Sequence, residues 1–128
     1  MAYNFLIVDD SSTARMIIKK IIGLSKVGVG GIYEAENGQE GLKILDKEWI
    51  DLVFADINMP VMSGHEMIKI MSKHGLLKKM PVVIVSSDGS EIMVEEMMAA
   101  GVKAYLRKPF TPESIKKILF EILGGSNE

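Results

Sequence analysis

The chain has no cysteine, which excludes disulfide staples, thiol nucleophiles and cysteine metal sites and is compatible with a reducing compartment. It has no excess of positive charge. Fifteen Lys and Arg stand against 17 Asp and Glu, a formal net charge of -2, which offers no broad basic face to nucleic acid or an anionic membrane. It also lacks an apolar run long enough to span a bilayer, and Met1 to Asn4 carry no basic stretch ahead of an apolar one, so neither an anchor nor a secretory leader is expected. The expected setting is the cytoplasm, with protein partners and neither nucleic acid nor membrane. Repeats and low-complexity tracts are missing; Gly23 to Gly31 and the Gly-Ser end from Gly124 to Ser126 are the only Gly-rich stretches. At 128 residues the chain fits one domain with a real core, expected over 1–124 and followed by a short flexible tail at 125–128, with no output domain after it and a monomeric state.

What is present is an alternation. Short runs rich in Val, Ile and Leu, at Phe5 to Val8, Leu52 to Ala55 and Val82 to Val85, with weaker ones at Gly31 to Ala35 and Val102 to Leu106, are separated by stretches of helical period. The first helix is expected after a cap at Ser11 or Ser12, with Ala14, Ile17, Ile18, Ile21 and Ile22 on one buried face and Gly23 at its end. The last takes Thr111 as cap and Pro112 in its first turn, and carries the stripe Ile115, Ile118, Leu119 and Ile122. Three more helices are expected near 38–48, 64–74 and 90–100. Continuous apolar strands alternating with helices imply a parallel sheet covered on both faces, a three-layer α/β/α sandwich, because each crossover helix must pack back onto the sheet.

In such sheets ligands bind beyond the carboxyl ends of the strands. Asp9-Asp10, Asp56, Ser86 and Lys108 each stand just past an apolar run, so four strands point to one pocket. Three carboxylates brought together stay ionised only at a cost unless a cation joins them, and a lysine and a hydroxyl beside that cation suit a phosphoryl group. Oxygen donors without a histidine nearby in sequence favour Mg2+ over zinc. Neighbouring strand residues face opposite sides, so Asp9 and Asp10 share an ion only if the chain turns there, as Ser11-Ser12-Thr13 suggests. Each residue alone also has an everyday explanation: a helix-capping Asp pair, a loop-capping Asp56, a Ser86-Ser87 turn before Asp88-Gly89, a solvated Lys108. Gly28-Val29-Gly30-Gly31 has the look of a phosphate loop but lacks a lysine at the required spacing and a strand directly before it. Of the ten methionines, Met97 is expected in the core and Met98 outside; His65 and His74 read as surface residues.

Phe5-Leu6-Ile7-Val8-Asp9-Asp10-Ser11-Ser12, then Asp56-Ile57-Asn58-Met59-Pro60 with Gly64, then Ser86, Tyr105 and Lys108-Pro109-Phe110 follow one ordered pattern. Over nearly its whole length the chain resembles the receiver domains of two-component response regulators, most of all the stand-alone chemotaxis (CheY-like) members. The resemblance implies a five-stranded parallel sheet of order 2-1-3-4-5, a flavodoxin-like arrangement for which this family is itself a stock example. It implies that Asp56 is the phosphoacceptor, taking its phosphoryl group from a histidine kinase, and that Asp9, Asp10, Asp56 and the backbone carbonyl of Asn58 hold Mg2+. Lys108, joined to Pro109 by a cis bond, would pair with the phosphoryl oxygens. Ser86 and Tyr105 would relay the event to the face of the fourth helix, fifth strand and fifth helix, where a flagellar motor switch protein or another target binds. Such a protein is a switch that catalyses its own phosphorylation and dephosphorylation, not an enzyme acting on others. Ser87 stands where the family often has alanine, and Asn58 and Asp88 lie at variable positions. Two other readings remain: a small Mg2+-dependent aspartyl-phosphate phosphohydrolase, which would space its two acids one residue apart, and a flavodoxin-like flavin-binding module using Ser11-Ser12-Thr13, whose phosphate the adjacent acids would repel.

Overall fold

The two-residue period of the strands decides the layering. Residues 2–124 are described by the computed structural model, and the tail expected at 125–128 lies outside them. Along the chain come β1 (Tyr3–Val8), α1 (Ser12–Leu24), β2 (Val29–Ala35), α2 (Gly38–Lys47), β3 (Leu52–Ala55), α3 (Gly64–Lys73), a 3-10 turn (Leu76–Lys78), β4 (Val82–Ser86), α4 (Glu91–Ala100), β5 (Ala104–Arg107) and α5 (Pro112–Leu123). The strands pair in parallel in the order β2-β1-β3-β4-β5, the order expected.

Successive side chains leave a strand on opposite faces, so each inner strand feeds two cores. Phe5 and Ile7, Leu52 and Phe54, Val83 and Val85 enter one core with Ile18, Ile21 and Ile22 of α1 and Ile115, Ile118 and Leu119 of α5. Leu6 and Val8, Val53 and Ala55, Val82 and Ile84 enter the other with Met67, Ile68 and Met71 of α3 and Met97 of α4, against which α2 packs Leu42 and Leu45. None of these strand residues is more than 1% exposed. Burying a side chain of this kind is worth about 1.5–3 kcal/mol, so the inner strands hold their register firmly up to their last apolar residue.

Each of the five α-helices starts on a side-chain cap: Ser11, Asn37, Ser63, Ser90 and Thr111 accept from the amide three residues on, and Glu66 returns a bond to the Ser63 amide. Several boundaries differ from expectation. Ile17 is exposed, because it lies about 100° round the helix from Ile18, on the flank of the buried arc. Gly23 does not end α1; nothing stands near its open side, and the helix runs to Leu24 before Ser25 caps it. Val29 to Gly31 belong to β2, which was expected to begin only at Gly31, and Gly28 remains in the loop before it. Val102 precedes β5 instead of opening it, since its amide closes α4 by donating to the Met97 carbonyl around Gly101, whose φ of 120° suits glycine.

Candidate functional site

β1 and β3 stop at one level, and β4 and β5 stop together two residues further on. Val8 pairs with Ala55 and with Ala35, Ala55 with Ile84, and Ser86 with Arg107, so the residues that follow β1, β3 and β5 emerge beside Ser86 at the same edge. The strand order reverses at β1, which opens a crevice between β1 and β3 at this edge.

Asp9 prolongs the sheet by donating its amide to the Ala35 carbonyl at 3.0 Å, and then the chain turns: Asp9 Oδ1 accepts the Ser11 amide at 2.9 Å. This turn lets Asp9, 2% exposed, and Asp10, exposed, face one point despite being neighbours. Asp56, 8% exposed, donates its amide to the Val8 carbonyl at 2.9 Å and accepts the Ile57 amide on Oδ1 at 2.7 Å, leaving Oδ2 for other partners. Carboxylate oxygens of Asp9, Asp10 and Asp56 all lie within 4.8 Å of one another, and among the described residues no other cluster of acids and histidines does so.

Lys108 is held by its amide on the Ser86 carbonyl at 2.8 Å, and its peptide bond to Pro109 is cis. Its Nζ reaches Asp9 Oδ2 at 2.9 Å and Asp56 Oδ2 at 3.3 Å. Partial burial alone would lower the Lys108 pKa, but the Asp9 hydrogen bond and the Asp56 charge outweigh it and raise the pKa above its ordinary value. The ammonium is therefore a fixed positive charge at neutral pH.

Ser86 is fully buried, and its Oγ accepts the Asp88 amide at 3.1 Å. Tyr105, half-buried on β5, donates its hydroxyl to the Asp88 carbonyl and so ties β5 to the loop after β4. Burial pushes the Tyr105 phenol up, the charges of Asp88 and Asp56 add to this, and the Ser86 hydroxyl opposes it. The phenol stays a donor. Asn58 is exposed two residues beyond Asp56. The two histidines take no part: His74 is exposed, and His65 lies on α3.

Sequence reasoning missed two supports. Arg15 donates to the Asp9 carbonyl at 2.5 Å while its Nε holds Glu34 at 2.9 Å, so the first helix clamps the turn from behind. Gly64 was part of the motif, but its role is contact: its amide donates to the Ile57 carbonyl at 2.7 Å, and a Cβ there would lie 1.9 Å from the Asp56 carbonyl oxygen. An arginine one turn into a helix that follows an acid pair was the available clue to the first; no sequence signal announces the second.

Three carboxylates against one ammonium leave a formal excess of two negative charges, which a single divalent cation cancels. The donors are all oxygen, and Asp10 and the loop at Asn58 are open to solvent, which suits an ion that keeps waters and accepts phosphate oxygens. The residues present fit Mg2+.

The family model described as "Response regulator receiver domain" matches residues 5–120. The chain is 40% identical over 127 residues to the "Chemotaxis protein CheY homolog" of Campylobacter jejuni, covering 98% of this chain and 96% of that protein. It is 38% identical over 126 residues to "Chemotaxis protein CheY1" of Helicobacter pylori, covering 98% and 99%. Among solved structures, a CheY-like response regulator receiver domain protein from Methanospirillum hungatei superposes with a TM-score of 0.84 at 26% identity, covering 99% of this chain and 98% of the other.

Proposed function

The chain belongs to the response regulator receiver domain family and is similar to chemotaxis members of it, and from that premise we propose that it is a phosphorylation switch whose phosphoacceptor is Asp56. Receiver domains of this kind are signalling switches in two-component pathways, not enzymes turning over a separate substrate. In this reading residues 1–124 are the receiver, working as a cytoplasmic monomer.

An Asp56 carboxylate oxygen attacks the phosphorus of a kinase phosphohistidine; the P–N bond breaks, the imidazole leaves with its electron pair and takes up a proton, and an acyl phosphate remains on Asp56. Water later cleaves it, returning inorganic phosphate and the carboxylate. Asp9, Asp10, Asp56 and the backbone carbonyl of Asn58 are the residues that would hold Mg2+, which when bound compensates charge on the transferring group. Lys108 presents its ammonium to the phosphoryl oxygens as a point charge. Ser86 turns its hydroxyl from Asp88 toward the new group, and Tyr105, bonded to the same loop, follows. The face of α4, β5 and α5 then changes its affinity for a target, which in a chemotaxis pathway is a flagellar motor switch protein. Moving that face from 1:99 to 99:1 takes about 5.5 kcal/mol, within reach of several charge-assisted contacts made only by the phosphorylated form.

The observation that supports this reading is the Asp56 carboxylate, set between Lys108 and the Asp9-Asp10 pair with its side chain 10% exposed. Intact-mass spectrometry after incubation with acetyl phosphate and Mg2+ tests it. One phosphoryl adduct is expected, lost with chelator and lost in Asp56→Asn; an adduct that survives that substitution, or none in the parent chain, sinks the reading.

A further inference from the structure

The first turn of α3 rests on the backbone of Asp56, through the Gly64 amide on the Ile57 carbonyl and the close approach of Gly64 to the Asp56 carbonyl. The next residue, His65, reaches the other way. Its Nε2 lies 2.5 Å from Glu96 Oε2 on α4, with the side chains 25% and 43% exposed. α4 is also the helix that follows the loop held by Ser86 and Tyr105. It is therefore joined to the Asp56 region twice, once through β4 and β5 and once through α3.

The second connection matters because α4 is thinly anchored. Met97 is its one buried residue, with Met93 and Ala100 half-buried against the same core, while Ile92 is 78% exposed. α3 buries Gly64, Met67, Ile68 and Met71. A helix with so little buried apolar surface moves at small cost, so one side-chain hydrogen bond to a neighbouring helix is a sizeable part of what holds it. Lys108 Nζ lies 3.3 Å from Asp56 Oδ2, a contact that a phosphoryl group on that oxygen would displace.

We propose that the His65–Glu96 pair is a tether that holds α4 against α3 in the unphosphorylated conformation and so sets how readily α4 responds at Asp56. The idea rests on Asp56 being the phosphoacceptor. His65 touches neither phosphate nor metal ligand; it is a positioning residue acting through α4.

Hydrogen–deuterium exchange of the intact chain, with and without acetyl phosphate and Mg2+, tests it. In unphosphorylated protein His65→Ala and Glu96→Gln should each speed exchange at 91–100 by roughly two- to fivefold, the upper value being the ceiling for a partly exposed pair. The double variant should exchange no faster than either single one. His65→Lys, which sets an ammonium donor opposite Glu96, should return α4 close to the parent rate, and phosphorylation should erase the difference between parent and His65→Ala. Unchanged α4 exchange in both single variants, additive effects in the double variant, or failure of the lysine to rescue would each overturn the tether. An adduct absent from the parent chain would instead overturn the phosphoacceptor reading, while exchange in the unphosphorylated variants still decides whether the pair holds α4.

Discussion

The two ends of the same strands are built on opposite terms. At the amino end, Asp51 Oδ2 accepts the Asn4 amide at 2.8 Å, Asp51 Oδ1 accepts Trp49 Nε1 at 3.1 Å, and the Asn4 side chain donates to the Trp49 carbonyl at 2.8 Å. One acid there is answered by neutral donors. At the carboxyl end, Asp9 and Asp56, both nearly out of water, share one ammonium with Asp10 clustered beside them, and the exposed Val61 in the following loop holds a φ of 67°, a left-handed conformation that costs a β-branched residue roughly 1–2 kcal/mol. The amino end is satisfied within the chain, whereas the carboxyl end leaves negative charge that a bound cation would offset, with a strained backbone position in the loop beyond it.

The largest expected effect comes from forcing the crowded end open. Gly64→Ala drives a methyl into the Asp56 carbonyl and should cost about 3 kcal/mol in urea denaturation, since backbone has to move. Mg2+ at about 100 times its dissociation constant should raise stability by about 2.7 kcal/mol, an increment that Asp9→Asn diminishes and Asp51→Asn leaves alone. Equal loss in both variants would erase the distinction between the ends.

Without Mg2+ the same kind of substitution should change sign from one end to the other. Asp10→Asn relieves repulsion at an exposed site and should stabilise by up to about 1 kcal/mol, whereas Asp51→Asn weakens two hydrogen bonds and should destabilise by about as much. Thermal melts of the two variants side by side decide it.

The smallest effect concerns the clamp behind Asp9. The Arg15 hydrogen bond, opposed by burial and helped by Lys19, holds the Glu34 carboxyl below its ordinary value of 4.5. A lowered folded pKa contributes stability that is present above the unfolded value and lost as pH falls through the folded one. Glu34→Gln should therefore cost about 0.2–1 kcal/mol at neutral pH and nothing well below pH 4, by denaturation at both pH values.

Much of this contrast was legible in the order of residues. Four apolar runs each followed by Asp, Ser or a basic residue located the carboxyl edge, because a parallel sheet aligns those points whatever the loops do. The edge strand was harder: Val29-Gly30-Gly31 has too few side chains to show alternation, so the start of β2 read two residues late. Ile17 was counted into the core because apolar spacing does not tell the centre of a buried arc from its flank. Tyr105 on the Asp88 carbonyl and His65 on Glu96 were out of reach, since each joins a side chain to another element whose relative rotation no local pattern encodes.

Borohydride reduction after acetyl phosphate treatment tests the central claim most directly, because it turns an aspartyl phosphate into homoserine and marks the position in the peptide map. The account predicts homoserine at position 56 alone, and only when Mg2+ was present; homoserine at position 9 or 10, or an unmodified chain, would contradict it.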